Sequence, residues 1–316
     1  MRARSVAGHL ERRQVAVYLG ALAVGVALGA AFPGAEGAFE AAIYPVLGAL
    51  LYVTFLQVPF DRLREAARDR TFLLAALALN FVVVPPVAWA LSLLAPGGTA
   101  VQLGVLMVLL TPCIDYVLVF TRLAGGSHHR LLAATPVLML AQMALLPVFL
   151  LAFMGGELAG VVEPGPFLEA FVLLIMLPLG LAWLTELSAP GARVKAVADL
   201  TPVALMALTL LVVVASQWPR VQDDLGDVAG VIPLYVAFLV VMPAAGLALA
   251  RRLRLDRGAA RALIFSGATR NSLVVLPLAL ALDAEYALAA AVIVTQTMVE
   301  VLGMVVYVRV IPRLAR

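Results

Sequence analysis

Charge is what this sequence has least of. Asp, Glu, Lys and Arg make up 13% of its 316 residues and apolar residues 64%, whereas a soluble domain carries about 25% charged residues. An ordinary water-soluble protein is excluded. Cysteine is nearly absent: Cys113 stands alone, which rules out an intrachain disulfide and any multi-cysteine metal cage. Catalytic signatures are missing as well. There is no glycine-rich phosphate loop, no HExxH and no GxSxG, so nucleotide-driven pumps and the common hydrolases drop out. The chain reads as a non-enzyme that needs no cofactor.

What is present is a succession of long apolar runs, with a mean hydropathy of +1.05. They fall at about 14–32, 41–59, 71–95, 101–123, 130–154, 166–188, 199–218, 228–250, 259–282 and 286–311. A membrane span needs about 20 apolar residues, so ten spans consume nearly the whole chain. No room remains for a soluble catalytic domain. The basic segment Met1 to Arg13 has no small-residue cleavage site after it, and the first run is read as a retained helix.

Loop charges orient the spans. With the N-terminus inside, twenty of the 22 Lys and Arg fall in inside segments: among them Arg2, Arg4, Arg62, Arg64, Arg130, Arg193, Lys195, Arg251, Arg261 and Arg313. The outside loops hold Arg220 and ten acids, including Glu36, Glu157, Asp223, Asp224 and Asp283. That asymmetry is the positive-inside pattern. It predicts a multi-pass protein of the cell membrane with both termini cytoplasmic, and it makes nucleic acid an unsuitable partner despite the net charge of +3. Oligomeric state is not legible.

The two halves echo each other. YPVLGALLYV from Tyr44 resembles TPVALMALTL from Thr201, and VVPPVAWAL from Val83 resembles VVMPAAGLAL from Val240, both at an offset of 157 residues. Chance similarity among Leu/Val/Ala-rich segments is the plain alternative. A true repeat of five spans, an odd number, inserts its copies with opposite orientation, as in secondary transporters. The expected fold is therefore all-α and polytopic: ten transmembrane helices in two inverted five-helix repeats, residues 1–155 and 156–316, within a single membrane domain.

Three charges remain inside the predicted spans: Asp115, Arg270 and Glu300. Each costs at least about 2.5–3.5 kcal/mol at mid-bilayer, so each should face a partner or a wet cavity. At the repeat offset TPCID (Thr111 to Asp115) meets ATRNS (Ala268 to Ser272). Pro112 removes a backbone donor and clashes one turn back, and Thr269, Asn271 and Ser272 compete for backbone hydrogen bonds. The fourth and ninth spans are thus expected to break and to cross at the midplane. Asp115 and Arg270 read either as a static ion pair or as a proton carrier beside a fixed cation. Glu300 and, within one residue, its counterpart Gln142 would brace the neighbouring breaks and are candidates for ion coupling; the plain alternatives are a structural role for Glu300 and an interhelical hydrogen bond without function for Gln142. Thr111, Cys113, Tyr116, Asn271 and Ser272 are neutral candidates for substrate contact. Cys113 reads either as a small apolar filler or, from its place inside the break, as a soft thiol that is a candidate metalloid ligand. His128 and His129 read as a solvated loop end, and Pro136, Pro147, Pro178, Pro233 and Pro277 as kinks.

On these features the chain resembles the superfamily of bile acid:sodium symporters and arsenite permeases over nearly all of its length. LLTPCIDYVLVF (Leu109 to Phe120) is similar to the arsenite-permease fourth-helix motif, which places Cys113 on that family's functional cysteine. GATRNSLVVLPLALAL (Gly267 to Leu282) and VTQTMVEVLGMVVYV (Val294 to Val308) resemble the ninth and tenth helices of small arsenic-resistance-type prokaryotic relatives. Leu273, Val274 and Val275 depart from the glutamate-bearing ninth helix of the bile-acid branch, so the resemblance does not carry sodium coupling over. It implies arsenite or antimonite efflux by proton antiport, with Asp115 as proton carrier. The alternatives are sodium- or proton-coupled symport of a small organic anion held by Arg270, and a non-transporting membrane scaffold or sensor.

Overall fold

The computed structural model describes residues 14–56, 68–113, 116–161, 172–187, 201–222, 225–280, 282 and 286–315. Asp115, the N-terminal arginines and Arg62, Arg64, Arg193 and Lys195 lie outside them. In chain order the helices are α1 (Gln14–Ala31), α2 (Glu36–Leu56), α3 (Arg70–Ser92), α4 (Gly98–Leu109), α5 (Val117–Leu123), α6 (His128–Val161), α7 (Leu177–Leu187), α8 (Pro202–Val221), α9 (Leu225–Gly230), α10 (Ile232–Arg252), α11 (Arg257–Ala268), α12 (Ser272–Leu280) and α13 (Ala287–Leu314). Among the described residues there is no strand beyond one isolated antiparallel bridge between Pro112 and Arg270. Five helical segments, Gly37–Leu56, Arg70–Ser92, His128–Gly155, Leu225–Arg252 and Ala287–Leu314, are long and apolar enough to cross a membrane. Together with the family reported below, they make this a polytopic membrane protein.

The chain forms two compact units. The first comprises Met1–Val58, Glu163–Gly226 and Leu276–Ala287. Within it α1 and α2 pack on α8. Small residues let the backbones approach: a Cβ on Gly25 or Gly29 of α1 would lie 2.8 Å from the carbonyls of Leu211 or Ala215 of α8, as small-xxx-small faces do in membranes.

The second unit comprises Pro59–Val162, Asp227–Val275 and Leu288–Arg316. Its α11 is buried from Ala259 to Ala268 apart from the half-buried Arg261 and touches α3, α5, α6 and α10. α4 is buried without interruption from Leu103 to Leu109. These two short buried helices carry the chain to the site. α13 lies against α4, where Gly104 faces the Ala289 backbone, and against α10, where Tyr235 donates to Val292 O at 3.1 Å.

α3 contains a π-helical stretch, Leu79–Val83, which Val84 separates from Pro85 and Pro86. Those prolines donate no backbone hydrogen bond, and the widened turn accommodates the mismatch. Pro136 and Pro147 sit inside α6. Pro233, expected as a kink, instead occupies the first turn of α10, where a missing N–H costs nothing.

Candidate functional site

Both interruptions fall in the runs where the sequence places them. α4 ends at Leu109, and Thr111 turns its hydroxyl back to Met107 O at 2.8 Å; Pro112 then cannot continue the ladder. α11 ends at Ala268, and Thr269 leaves the helix with extended backbone (φ −99°, ψ 137°) while its hydroxyl bonds Phe265 O. The two loose segments run antiparallel. Cys113 N donates to Thr269 O at 3.0 Å, and Asn271 N donates to Thr111 O at 2.7 Å. Asn271 Oδ1 then accepts from Val274 N at 3.3 Å, an N-capping bond for α12.

Arg270 is 0% exposed, and its guanidinium joins the two helix ends. Nη1 donates to Leu109 O, the end of α4, at 3.1 Å. Nη2 lies 2.8 Å from each of Ser266 O and Gly267 O at the end of α11, and 2.8 Å from Asn80 Oδ1 of α3. The guanidinium carbon is 5.4 Å from the centroid of the Phe238 ring, within cation–π range. The last carbonyls of a helix have no intrahelical donors and carry partial negative charge. Arg270 supplies donors and positive charge to two such ends at once.

Glu300 of α13, also 0% exposed, provides the negative counterpart. Its carboxylate accepts from the Arg270 main-chain N–H at 2.7 Å, from Tyr116 Oη at 2.5 Å and from Gln296 Nε2 at 2.5 Å. Its contact with Arg270 thus runs through the backbone rather than the guanidinium. Thr297, three residues before Glu300, donates to Ser272 Oγ at 2.7 Å.

Of the sequence-derived candidates, Thr111, Cys113, Tyr116, Arg270, Asn271, Ser272 and Glu300 are brought together by these bonds. Cys113 is 1% exposed. Gln142 is not in the network; neither of its amide atoms has a protein partner although both are buried, and Asn271 Nδ2 and Gln296 Oε1 are in the same state. Asp115 lies outside the described residues. Asn80, Ser266 and Gln296 are members of the network that the sequence reading missed. Asn80 carries a signal in retrospect: an amide in the middle of LLAALALNFVVV.

A membrane protein with two interrupted helices, whose free carbonyl ends meet a buried guanidinium beside a buried carboxylate, belongs in its class with solute carriers. The particular family follows from comparison. The Sodium Bile acid symporter family matches residues 44–222, more than half of the chain, and the chain belongs to that family. Its members are transporters and not enzymes. The matched region includes Thr111 to Tyr116 and ends before Arg270 and Glu300. No curated protein matches the chain.

Proposed function

We propose that the chain is a secondary transporter that moves a small organic anion together with a proton, with Glu300 as the group that takes up and returns the proton. The observation that carries this reading is the seat of the Glu300 carboxylate, which is buried on α13 and bonded to the backbone of one interruption and to Tyr116 beside the other. An ionised carboxylate only accepts, whereas a protonated one must also donate. Each proton taken up therefore rearranges the bonds at the crossing, which is what coupling requires. The family favours the symport direction. Thr111, Cys113, Tyr116, Asn271 and Ser272 are the proposed substrate contacts. Arg270 serves as a fixed charge because Nη1 and Nη2 are committed to protein oxygens.

Inverted repeats at residues 1–155 and 156–316, ten spans, a cell-membrane location and cytoplasmic termini belong to the same proposal. The bridge supports the repeat at a spacing of 158 residues, from Pro112 to Arg270. At that spacing Thr111 corresponds to Thr269, and both bond the carbonyl four residues back. Gln142 corresponds to Glu300. Asn80 corresponds to Phe238, and these two both contact the Arg270 guanidinium.

The test is uptake of radiolabelled organic anions into vesicles containing the purified protein, under an imposed proton or sodium gradient. Uptake that follows the proton gradient, and is uncoupled from it by Glu300→Gln, is the expected result. Uptake driven by sodium alone and unchanged in Glu300→Gln overturns it. A second reading, arsenite or antimonite efflux by proton antiport, is favoured by the buried thiol of Cys113 at the crossing. It requires metalloid flux that Cys113→Ser abolishes.

A further inference from the structure

Where α3 and α6 begin, the second unit holds a cavity of about 220 Å³ with walls of two kinds. Phe72, Leu73 and Ala133 are apolar; Asp69, His129 and Arg130 are ionisable. Two segments able to cross a membrane start here, Arg70–Ser92 and His128–Gly155, so the cavity sits where headgroups meet hydrocarbon. Further along the same two helices Leu74, Val82 and Leu140 are exposed and apolar, as contacts for acyl chains are. Arg130 is partly engaged already. Its Nη1 donates to Asp256 Oδ2 at 2.6 Å, and its Nε lies 3.2 Å from Asp69 Oδ2, which leaves Nη2 to donate to a ligand. Asp69 Oδ1 accepts from Phe72 N at 3.2 Å. Within bonding distance, therefore, two carboxylates share one guanidinium, and the Asp69 side chain is still 38% exposed.

We propose that this cavity seats the headgroup of a phospholipid that carries a primary ammonium, its phosphate on His129 and Arg130 and its ammonium on Asp69. Every phospholipid offers a phosphate to the cations here, which include Arg68 and Arg70 on either side of Asp69. The carboxylate is what discriminates. A primary ammonium brings three donors to it, and a hydrogen bond between two charged groups is among the strong ones. A trimethylammonium has no N–H to give, and a glycerol headgroup brings no positive charge to the second aspartate. In phosphoethanolamine only two carbons separate the two charges, which suits the neighbouring Asp69 and Arg130. The apolar walls assign the site to a lipid rather than to a soluble zwitterion. The cavity lies at helix starts and not at the interruptions, so it stands apart from the transport reading.

The test melts the purified protein in phosphatidylcholine nanodiscs doped with equal fractions of phosphatidylethanolamine or phosphatidylglycerol. Asp69→Asn removes the charge but keeps the cap of α3, since Asn serves as well as Asp there. Asp227→Asn, an acid of α9 outside the cavity, is the control. Phosphatidylethanolamine is expected to raise the Tm of wild type and of Asp227→Asn above the value in phosphatidylglycerol, and to lose that effect in Asp69→Asn. A second measurement needs no variant: lipid retained by wild type from an equal mixture of the three, identified by mass spectrometry, is expected to be enriched in phosphatidylethanolamine. Equal shifts with both added lipids, a phosphatidylethanolamine shift that persists in Asp69→Asn, or retained lipid that mirrors the mixture overturns the proposal. Soluble phosphoethanolamine that raises the Tm in phosphatidylcholine discs as much as the lipid does overturns it too, because the ligand is then not a lipid.

Discussion

Replacing Asn80 by Leu asks whether the groups around Arg270 act as one network. The Asn80 amide donates to Ala76 O at 2.9 Å and to Ser266 Oγ at 3.0 Å, and it accepts from Arg270 Nη2 at 2.8 Å. Leu has nearly the same shape, so packing changes little and the cost is that of lost polar contacts. Hydrogen bonds between neutral side chains of neighbouring membrane helices are worth about 0.6 kcal/mol on average. A bond to a charged group is worth about 1.5–3 kcal/mol. Asn80→Leu is thus expected to cost about 2–4 kcal/mol, most of it from the Arg270 contact.

The decisive quantity is the coupling, read from double-mutant cycles by reversible unfolding in detergent. The cycle with Ser266→Ala should return about 0.6 kcal/mol. The cycle with Arg270→Met should return about 1.5–3 kcal/mol. Additivity to within about 0.3–0.5 kcal/mol at positions 80 and 270 would refute the reasoning. The guanidinium would then gain nothing from the oxygen 2.8 Å away.

Three further outcomes follow from other contacts. A Cβ on Gly104 would lie 2.8 Å from Ala289 O and 2.9 Å from Ala289 Cα, backbone atoms that cannot swing aside. Gly104→Ala should therefore lower stability by about 1–3 kcal/mol, while Gly20→Ala, with nothing within 4 Å, should not destabilise; equal melting temperatures would contradict the close approach of α4 and α13. Tyr116→Phe removes the hydroxyl bonded to Glu300, and a loss of about 1.5–3 kcal/mol should accompany an altered pH profile of transport; an unchanged profile separates Tyr116 from coupling. Asp256 caps α11 by accepting from Ala259 N at 2.9 Å and pairs with Arg130 at 2.6 Å. That backbone bond first, and Arg130 as well, hold its carboxyl below the ordinary range. Its contribution is therefore complete above about pH 4 and is lost as pH falls through the lowered folded-state value. Asp256→Ala should cost about 1 kcal/mol at neutral pH and flatten the acid limb of the stability curve; a limb as steep as wild type would show that other carboxylates govern it.

How much of this was legible in the sequence depends on whether a feature is written in side chains or in backbone. The interruptions were legible because Pro112 and the Thr-Arg-Asn-Ser run act locally on the ladder, and local chemistry survives any tertiary arrangement. Arg270 was legible as a charge in the wrong place, but its partners were not. Counting charges steers a reader toward an acid or an anionic ligand, whereas the guanidinium's partners here are an amide and the carbonyls of Leu109, Ser266 and Gly267. Those carbonyls belong to residues whose side chains say nothing about the site; they become ligands only because two helices end there. Asn80 escaped notice for a related reason. A neutral amide adds nothing to a charge count, although burying one without partners costs roughly as much as losing a hydrogen bond. The sequence offset of 157 residues, set by the paired prolines Pro45/Pro202 and Pro86/Pro243, also differs by one from the spacing of the bridge itself, and one residue turns a helix by about 100°. Gln142 and Glu300 coincide only at the larger spacing. There a neutral amide stands where Glu300 carries an ionisable carboxylate, a difference that a residue-by-residue comparison at the sequence offset does not reveal.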